Sequence, residues 1–357
     1  MNLLEYHHAQ QPNNEHYVSR KCHIPSQGHI NLFGVRAAGK TSMVIDILEQ
    51  EESQSLYIDF SSPSFTFNAL SLSTVQQFIN KENIQLLILD HYHENYLEDF
   101  PKVQRLIVLS RIALHHPLLS PIELFPLDYE EFLAFESATS THAGFKHFLR
   151  VGTLPQLARA QKTSNQAMKT FFYSSFSPNE QKLLLILAQH HTKHLSIHQI
   201  YTFSKEKFKV SKDWLYKTIK TFQEEKVLLF IDDRYQKSGK KMLLFDFAFA
   251  KYLTIGQPFI MQFDTMIALA LMKHHIDVQT LGIHGYITNG NELIIPAPFE
   301  SEESLWVKSQ KKFSIYKKYG IQKISIITMA NSYEYHIEKL HFEALPFDEW
   351  SVINDEE

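Results

Sequence analysis

One eight-residue stretch near the N-terminus constrains the fold of this chain more than any other feature. It has the pattern G-x-x-x-x-G-K-T and is Gly34-Val35-Arg36-Ala37-Ala38-Gly39-Lys40-Thr41, with Ser42 next. The two glycines let the backbone bend so tightly that its N–H groups point inward at phosphate oxygens. The lysine adds positive charge near the β- and γ-phosphates, and the threonine hydroxyl can bind Mg²⁺. We therefore predict that residues 34–42 bind ATP or ADP together with Mg²⁺.

The segments on either side of this loop have the patterns that a phosphate-binding loop needs. Residues 29–33 are a short apolar run that predicts a buried strand. After the loop, apolar residues recur at helical spacing, at Met43, Val44, Ile47 and Leu48. A strand, a glycine loop and a helix in this order place the helix N-terminus beside the anion.

Three later apolar runs predict further strands, at residues 55–60, 86–90 and 106–110. Helical patterns lie between them, so the sequence favours a doubly wound α/β domain of the P-loop NTPase type. In such domains the ligand lies beyond the carboxyl ends of the parallel strands.

Two polar residues stand at these strand ends. Asp90 follows four apolar residues in a Walker B pattern and is predicted to hold Mg²⁺ opposite Thr41. The alternative for Asp90 is an ordinary strand-terminal cap. Ser110 ends the next strand, where a polar side chain can sense the γ-phosphate.

The residue after Asp90 departs from the usual ATPase pattern. His91 stands where a glutamate usually orients the attacking water, and the nearest acid is Glu94. An imidazole lacks the fixed negative charge that polarises water beside a phosphate. We therefore predict retained ATP binding with slow or negligible hydrolysis, with Glu94 as the substitute base if its loop folds back.

Residues 176–255 have the pattern of a winged helix-turn-helix: three helices, near 178–188, 196–203 and 211–225, and two strands, 227–231 and 241–245. Residues 193–241 contain 12 basic and 6 acidic residues, whereas the whole chain has a net charge of −4. Clustered positive charge of this kind is typical of duplex DNA binding. The alternative is a packing or regulatory module with solvated lysines. The basic residues concerned are Lys212, Lys217 and Lys220 on the third helix and Arg234, Lys237, Lys240 and Lys241 on the wing.

The composition of the 357-residue chain sets broader limits. Its length predicts two or three domains. A single cysteine, Cys22, excludes an internal disulfide and any multi-cysteine metal site. The polar N-terminus and the lack of a long apolar run predict a cytoplasmic protein without a membrane segment. Twenty histidines include a cluster at 190–198, which we interpret as solvated or partly buried rather than as a metal site.

Four segments resemble a large group of archaeal and bacterial AAA-type ATPases. The loop is similar to the group's G-x-R-x-x-G-K-T-T loop, and residues 122–132 are similar to its L-x-P-L-S-F-x-E-F segment. Residues 148–155 are similar to its lid signature Y-L-x-x-G-G-L-P, with Thr153 in place of the second glycine. Residues 241–253 resemble the run that follows the group's wing. The resemblance implies an AAA-type core with a helical lid and a winged helix.

Residues 256–357 correspond in the resembled group to a domain like the PD-(D/E)XK restriction nucleases. Gly285 stands near the position of the first metal-binding acid, and Pro296-Ala297-Pro298 replaces the second motif. We therefore expect a degenerate domain without nuclease activity, in which Glu300, Glu302 and Glu303 form a solvated loop. Residues 282–288 and 292–295 predict two strands, and the Asn289-Gly290 pair predicts a two-residue hairpin turn between them.

The sequence thus predicts an N-terminal arm (1–27), a P-loop core with lid (28–175), a winged helix (176–255) and a degenerate nuclease-like domain (256–357). The leading hypothesis is an ATP-binding, nucleotide-dependent switch associated with DNA or with a protein partner. The alternatives are a winged-helix nucleic-acid-binding protein with incidental nucleotide binding, and a nuclease with a relocated acid. Arg105 and Arg111, near the predicted strand 106–110, are candidates for an arginine finger.

Overall fold

The computed structural model describes residues 3–13, 17–66, 68–135, 141–159, 164–235, 239–256, 258–274 and 277–353. The chain divides into two compact units, Met1–Pro126 and Leu127–Glu357. Within the ranges just given, no helix has the length and apolar character needed to cross a membrane.

Unit 1, Met1–Pro126, is built on a five-stranded parallel sheet. Its strands are β1 His29–Phe33, β2 Ser55–Asp59, β3 Leu86–Asp90, β4 Arg105–Ser110 and β5 Ser120–Glu123. The order across the sheet is β2-β3-β4-β1-β5, and all four pairings are parallel. The predicted α/β class is confirmed by this sheet. The edge strand β5 was not predicted as a strand, because its four residues are exposed or half-buried and lack a continuous apolar run.

Three α-helices and a short 3-10 helix, Pro63–Thr66, complete the described part of unit 1: α1 Leu3–Ala9, α2 Lys40–Gln50 and α3 Leu72–Glu82. The helix expected between β3 and β4 is wrong, since the described residues 91–104 form turns and loop. Helix α2 begins directly after the glycine loop and buries Met43, Val44 and Leu48. Ser71 is the N-cap of helix α3, and its hydroxyl accepts a hydrogen bond from the Thr74 N–H. Strands β2, β3 and β4 share one apolar core with α1 and α3.

Unit 2, Leu127–Glu357, opens with helical elements. The first four helices are α4 Tyr129–Phe135, α5 Thr141–Val151, α6 Pro155–Arg159 and α7 Ser164–Ser175. Three more helices follow, α8 Pro178–Gln189, α9 Ile197–Lys207 and α10 Lys212–Glu224. Serines at 177, 196 and 211 precede α8, α9 and α10 as N-caps, which is why each helix begins where it does.

A small antiparallel sheet accompanies α8–α10. Its strands are β6 His194–Leu195, β7 Leu228–Ile231 and β8 Lys240–Leu244, in the order β6-β8-β7. The predicted strand pair is present, and β6 adds a two-residue strand that is too short to give a sequence pattern. Helix α11 Phe247–Tyr252 follows the hairpin.

The remainder of unit 2 is a mixed six-stranded sheet with three helices. The helices are α12 Phe259–His274, α13 Glu302–Lys318 and α14 Phe347–Ile353. The strands are β9 Gln279–Thr280, β10 Tyr286–Ile287, β11 Glu292–Pro296, β12 Lys323–Thr328, β13 Tyr333–Ile337 and β14 Leu340–Pro346. Their order is β13-β14-β12-β11-β10-β9, with β11, β12 and β14 parallel.

The hairpin predicted at Asn289-Gly290 joins β10 and β11, which pair antiparallel. Its loop has three residues, 289–291, and not two, because Thr288 pairs with Glu292 and Asn291 is left-handed at φ 54°. Strand β10 is much shorter than the predicted run 282–288, because Gly282 and Gly285 have positive φ angles of 52° and 142° that interrupt an extended strand. The predicted solvated loop of glutamates is also wrong in part. Glu302 and Glu303 lie in the first turn of α13, where negative charge is favourable near the helix N-terminus.

A buried carboxylate connects two parts of unit 2. Asp246, fully buried, accepts hydrogen bonds from the Thr153 N–H and the Thr153 hydroxyl, both at 2.6 Å. It also accepts from the Phe249 N–H at 2.6 Å, at the start of α11. Gly152 has φ +80°, and a Cβ there would collide with the Asp246 carboxylate. The threonine that replaces the second glycine of the resembled signature thus supplies a donor to Asp246.

Candidate nucleotide-binding site

The glycine loop lies between β1 and α2 and contains three residues with positive φ. These angles are 145° at Gly34, 62° at Ala37 and 98° at Gly39. A Cβ at Gly34 would collide with the backbone carbonyl of Leu124, whose N–H donates to Phe33 O at 2.8 Å. Only glycine fits at this position, both because of its φ angle and because a second backbone segment passes so close.

Lys40 is the first residue of α2, and its side chain folds over the loop. Its ammonium group donates to Gly34 O at 2.7 Å and to Val35 O at 2.9 Å. The positive charge is therefore held at the loop rather than extended into solvent. A phosphate that enters the loop would replace these two carbonyls as the acceptor of the hydrogen bonds from the Lys40 ammonium.

Thr41 and Asp90 are brought together at the carboxyl edge of the sheet. The Thr41 hydroxyl donates to Asp90 Oδ2 at 2.8 Å, although the two residues are 49 positions apart. Asp90 is only 2% exposed, and Tyr57 on β2 donates a second hydrogen bond to the same oxygen at 2.7 Å. Burial, and then the neighbouring Asp90 charge, raise the pKa of Tyr57 well above its usual value, so its hydroxyl remains a donor. A hydroxyl and a carboxylate are oxygen ligands of the kind that Mg²⁺ prefers.

His91 lies beside this carboxylate in a left-handed conformation, with φ 52°. Its N–H donates to Asp90 Oδ1 at 2.6 Å, and its ring Nδ1 lies 2.9 Å from Asp59 Oδ1 and 3.4 Å from Asp90 Oδ1. The hydrogen bond with Asp59 raises the pKa of His91, although burial opposes this. Burial also opposes ionisation of Asp59, but hydrogen bonds from His91 and Ser61 outweigh it and lower the pKa of Asp59 to about 2.

Asp59 was not singled out from the sequence, although a signal for it exists. It is the last residue of β2 and pairs in register with Asp90, the last residue of β3. Adjacent parallel strands that both end in aspartate bring two carboxylates to one edge of the sheet. Here the second carboxylate holds the His91 ring.

Ser110 is placed at the end of β4, in register with Phe33 at the end of β1. It is 3% exposed and fully engaged: its hydroxyl accepts from Asn31 Nδ2 at 2.8 Å and donates to Ile112 O at 2.5 Å. Asn31, buried in the middle of β1, also accepts from the Leu114 N–H at 2.8 Å. The sensor function of Ser110 remains a prediction, and it would require the hydroxyl to leave one of these partners.

The other predicted site residues differ in how the structure places them. Val35 and Ala38 of the loop are buried, with 2% and 0% exposure, while Arg36 and Ser42 are half-buried. Glu94 is exposed in the segment after β3.

The two arginine-finger candidates lie at opposite ends of β4. Arg105 is at its amino end, where it donates to Pro25 O at 2.7 Å and lies 3.7 Å from Glu51. It is therefore remote from the carboxyl edge that carries Asp90. Arg111 follows the carboxyl end of β4 and is close enough to His91 to oppose the rise in its pKa.

Two of the four basic residues predicted on the hairpin β7–β8 form ion pairs inside unit 2. Lys240 pairs with Asp232 at 2.9 Å, and Lys241 pairs with Asp264 of α12 at 2.7 Å in a mostly buried contact. Lys237 lies outside the described residues, and Arg234 is exposed. On α10, Lys212, Lys217 and Lys220 are exposed. The exposed positive charge therefore lies on α10 and at Arg234, although Lys220 is also paired, 3.6 Å from Glu224.

The residues after β7 are also joined to the C-terminal sheet. The Thr280 N–H donates to Asp232 O at 2.9 Å, and the Arg234 N–H donates to Thr280 O at 3.0 Å. The Asp233 carboxylate accepts from the Gly282 N–H at 2.6 Å. This side of the hairpin is thus a packing surface within unit 2.

The positions of the C-terminal segment that were expected to lack catalytic groups have structural contacts. A Cβ at Gly285 would collide with the carbonyl of Ile294 on the neighbouring strand. Next to it, the Tyr286 hydroxyl donates to Asp264 Oδ1 at 2.8 Å, the carboxylate that also pairs with Lys241. Glu300 is bound by Ser304 and Lys308. These carboxylates thus have structural partners.

No family model matches the chain, and no curated protein matches it. Among solved structures, the chain is similar to a Walker-type ATPase of Pyrococcus abyssi, with 13% identity, a TM-score of 0.45, and coverage of 64% of this chain and 92% of the other. It is also similar to the Aeropyrum pernix ORC1 protein in a complex with DNA, with 13% identity, a TM-score of 0.32, and coverage of 63% and 86%. A Drosophila ORC structure bound to DNA has 13% identity, a TM-score of 0.25, and coverage of 68% and 90%. At these TM-scores the likenesses do not bear on function, which has to be inferred from the chain's own residues.

Proposed function

We propose that this chain is an AAA-type ATP-binding protein that acts as a nucleotide-dependent switch with slow ATP hydrolysis. The observation that carries the proposal is the 2.8 Å contact between Thr41 Oγ1 and Asp90 Oδ2, directly beside a loop that holds the Lys40 ammonium. The loop amides and Lys40 would bind the phosphates of ATP or ADP, while Thr41 and Asp90 would hold Mg²⁺. Mg²⁺ neutralises phosphate charge when bound.

Slow hydrolysis follows in this proposal from the residue beside Asp90. A water-orienting glutamate would carry its negative charge there, but His91 occupies the position and is tied to Asp59 at 2.9 Å. The Asp59 hydrogen bond favours the protonated form of His91, which cannot accept a proton from water. Bound ATP would then persist long enough to act as a regulatory ligand rather than as a source of free energy from hydrolysis.

Isothermal titration of the full chain with ATP and Mg²⁺ tests the proposal. We expect binding by the wild type and loss of measurable binding in Lys40→Ala, since the variant removes one of the two cationic side chains of the loop and leaves only Arg36. Circular dichroism should show that Lys40→Ala is folded. Lys81→Ala, an exposed lysine of α3, is the matched control and should bind ATP like the wild type. Equal affinity in Lys40→Ala and wild type would exclude this site.

Duplex DNA binding through a winged helix formed by α8–α10 and β7–β8 is the second candidate function. The exposed Lys212, Lys217 and Lys220 on α10 favour it, whereas the neutralised hairpin lysines favour a packing role. If α10 binds phosphates, Lys217→Gln should weaken duplex binding and reduce its salt dependence. If neither the affinity for duplex DNA nor its salt dependence changes, α10 does not bind DNA. The α8–α10 segment would then be a packing module, and the switch would act on a protein partner. Lys193→Gln, an exposed lysine outside α10, serves as the control.

Nuclease activity of the C-terminal segment is not proposed. In place of metal-binding acids it has Gly285 and Pro296-Ala297-Pro298, and the nearby Asp264 is paired with Lys241 and Tyr286.

A further inference from the structure

Arg20 lies in the segment that precedes β1 and reaches the phosphate-binding loop. Its guanidinium is half-buried, with Nη1 donating to Ala38 O at 2.8 Å and Nη2 donating to Phe125 O at 2.8 Å. Both acceptors are main-chain carbonyls. One belongs to the loop, and the other follows Leu124, whose carbonyl passes beside Gly34. One side chain therefore connects three segments of unit 1 around the loop.

The carbonyl of Ala38 belongs to the same peptide group as the N–H of Gly39. None of the described peptide bonds is cis, and in a planar trans peptide the C=O and the N–H point in opposite directions. Because Arg20 approaches the carbonyl, the Gly39 N–H points away from the guanidinium. A hydrogen bond from a cation to the carbonyl polarises the peptide and makes its N–H a stronger donor.

The backbone around this peptide needs such support. Ala37, on one side of Ala38, has φ 62°, and Gly39, on the other, has φ 98° and ψ 15° as the N-cap of α2. A left-handed alanine is an uncommon conformation that persists only where its surroundings hold it. The Ala38 side chain is fully buried, so its methyl group and its carbonyl are both fixed. Rotation of the Ala38–Gly39 peptide would break the Arg20 contact.

We propose that Arg20 is a positioning residue for nucleotide phosphates. It fixes and polarises the Ala38–Gly39 peptide so that the Gly39 N–H donates to the phosphate chain. The bond to Phe125 O holds the guanidinium itself in place. Arg20 acts through the peptide and not by contact with the nucleotide. This inference rests on the nucleotide site proposed above and extends it to the segment before β1, which the loop motif does not include.

Titration of Arg20→Met and Arg20→Lys with ADP and with ATP tests the inference. In Arg20→Met we expect the affinity for both nucleotides to fall about tenfold, as is common when a group that orients a ligand-binding atom is removed. Arg20→Lys should recover part of the loss, because a lysine restores charge but cannot match the two-carbonyl geometry of a guanidinium. Lys21→Met is the matched control, since Lys21 is the adjacent exposed cation, and it should retain wild-type affinity.

A spectroscopic measurement separates positioning from a general loss of stability. In protein labelled with ¹⁵N-glycine and saturated with ADP, the Gly39 amide resonance should move in Arg20→Met, because its hydrogen bond weakens. The Gly28 resonance, from a glycine with open space around it, should stay in place in both Arg20→Met and Lys21→Met. If Arg20→Met does not fold, Arg20→Lys is measured in the same way and should show a smaller movement of Gly39.

Three results would overturn the inference: wild-type affinities in Arg20→Met, equal losses in Arg20→Met and Lys21→Met, or an unmoved Gly39 resonance in ADP-bound Arg20→Met. Failure of the proposed function has a different signature. In that case the wild type itself binds neither nucleotide, or Lys40→Ala binds both nucleotides with the same affinity as the wild type.

Discussion

At the scale of single residues, the position after Asp90 decides whether bound ATP is expected to last. The histidine there has a left-handed backbone, with φ 52°, and its N–H donates a hydrogen bond to Asp90. Its ring Nδ1 contacts Asp59 at 2.9 Å and Asp90 at 3.4 Å. The ring is thus held by two carboxylates and sits where a charged base would have to stand.

Replacing this histidine should increase turnover. In His91→Glu, a carboxylate is placed next to Asp90, and we expect ATP hydrolysis to rise by at least about tenfold, a modest fraction of what a positioned base contributes. Phosphate release assays under saturating ATP and Mg²⁺ measure this. His93→Glu makes the same charge change two residues further on, at an exposed position, and should leave the rate unchanged. Equal rates in both variants and wild type would show that His91 does not limit hydrolysis.

Gly34 has two separate reasons to be glycine, and a variant can distinguish them. In Gly34→Ala the methyl group meets the Leu124 carbonyl, in addition to the cost of φ 145°. We expect loss of ATP binding and a decrease of more than about 2 kcal/mol in the free energy of unfolding of unit 1, since backbone strain and a steric clash add. Denaturant unfolding followed by circular dichroism measures it.

Gly28→Ala is the control for backbone strain alone. Gly28 has φ +92° but nothing within 4 Å of an added Cβ. It should lose less stability than Gly34→Ala and keep ATP binding. Comparable losses in the two variants would mean that the Leu124 contact is unimportant.

At the scale of secondary-structure elements, the patterns that predicted strands well were continuous apolar runs. The predicted run at residues 86–90 is β3, and the run at 106–110 is β4 with one residue added. Helices with a serine cap were also close to their observed bounds, as α10 shows at Lys212–Glu224 against a prediction of 211–225. Local sequence patterns were therefore sufficient to predict fully buried strands and helices with a serine cap.

Other elements depend on contacts that a single sequence does not display. The hairpin β13–β14 was not predicted, although Glu334 and His336 alternate with buried residues as in a half-buried strand. It has no continuous apolar run of the kind that marked the other strands. In the site, the loop and Asp90 had recognisable motifs and Asp59 had only its place near the end of a predicted strand, whereas Asn31 and Arg20 had no sequence signal. Their roles come from strand register and from a long-range approach to a carbonyl, which only the folded chain reveals.

Thr153 tests how α5, α6 and α11 are held together in unit 2. Thr153→Val removes the hydroxyl that donates to Asp246 at 2.6 Å and leaves a fully buried carboxylate with one donor fewer. We expect a loss of about 1–3 kcal/mol in the free energy of unfolding, because a buried acceptor is left partly unsatisfied. Thr153→Ser keeps the hydroxyl and should lose much less.

Thermal unfolding of the full chain provides the readout, with Thr202→Val as the reference for an exposed threonine. If Thr153→Val unfolds at the same temperature as Thr202→Val, then the hydrogen bond to Asp246 contributes no net stability.

At the scale of the whole molecule, acid sensitivity is expected to come from unit 2. His191 is completely buried, and its Nδ1 accepts from the Leu244 N–H at 3.2 Å while its Nε2 lies 2.6 Å from Thr265 Oγ1. Because Nδ1 accepts, the proton is on Nε2 and the ring is neutral. Burial, aided by the nearby Lys241 charge, lowers the pKa of His191 to about 3.

A histidine whose pKa is lowered in the folded state binds its proton more readily when the chain unfolds. The stability linked to His191 is therefore complete above the unfolded pKa of 6.5 and is lost as pH falls from there toward 3. Wild type should lose up to about 1.4 kcal/mol per pH unit more than His191→Gln between pH 6 and 4. Denaturant titrations at several pH values measure the two slopes. His198→Gln, an exposed histidine, should follow the wild type, and a wild-type slope in His191→Gln would assign the acid sensitivity elsewhere.

The hydrogen bonds between Thr280 and residues 232–234 affect how truncated fragments of this chain are expected to behave. A fragment that stops near residue 255 would keep the hairpin β7–β8 but lose the backbone partners that Thr280 supplies. Bare strand edges recruit other strands. Such a fragment would tend to self-associate, and an oligomer or aggregate seen with it would report the cut and not the native assembly.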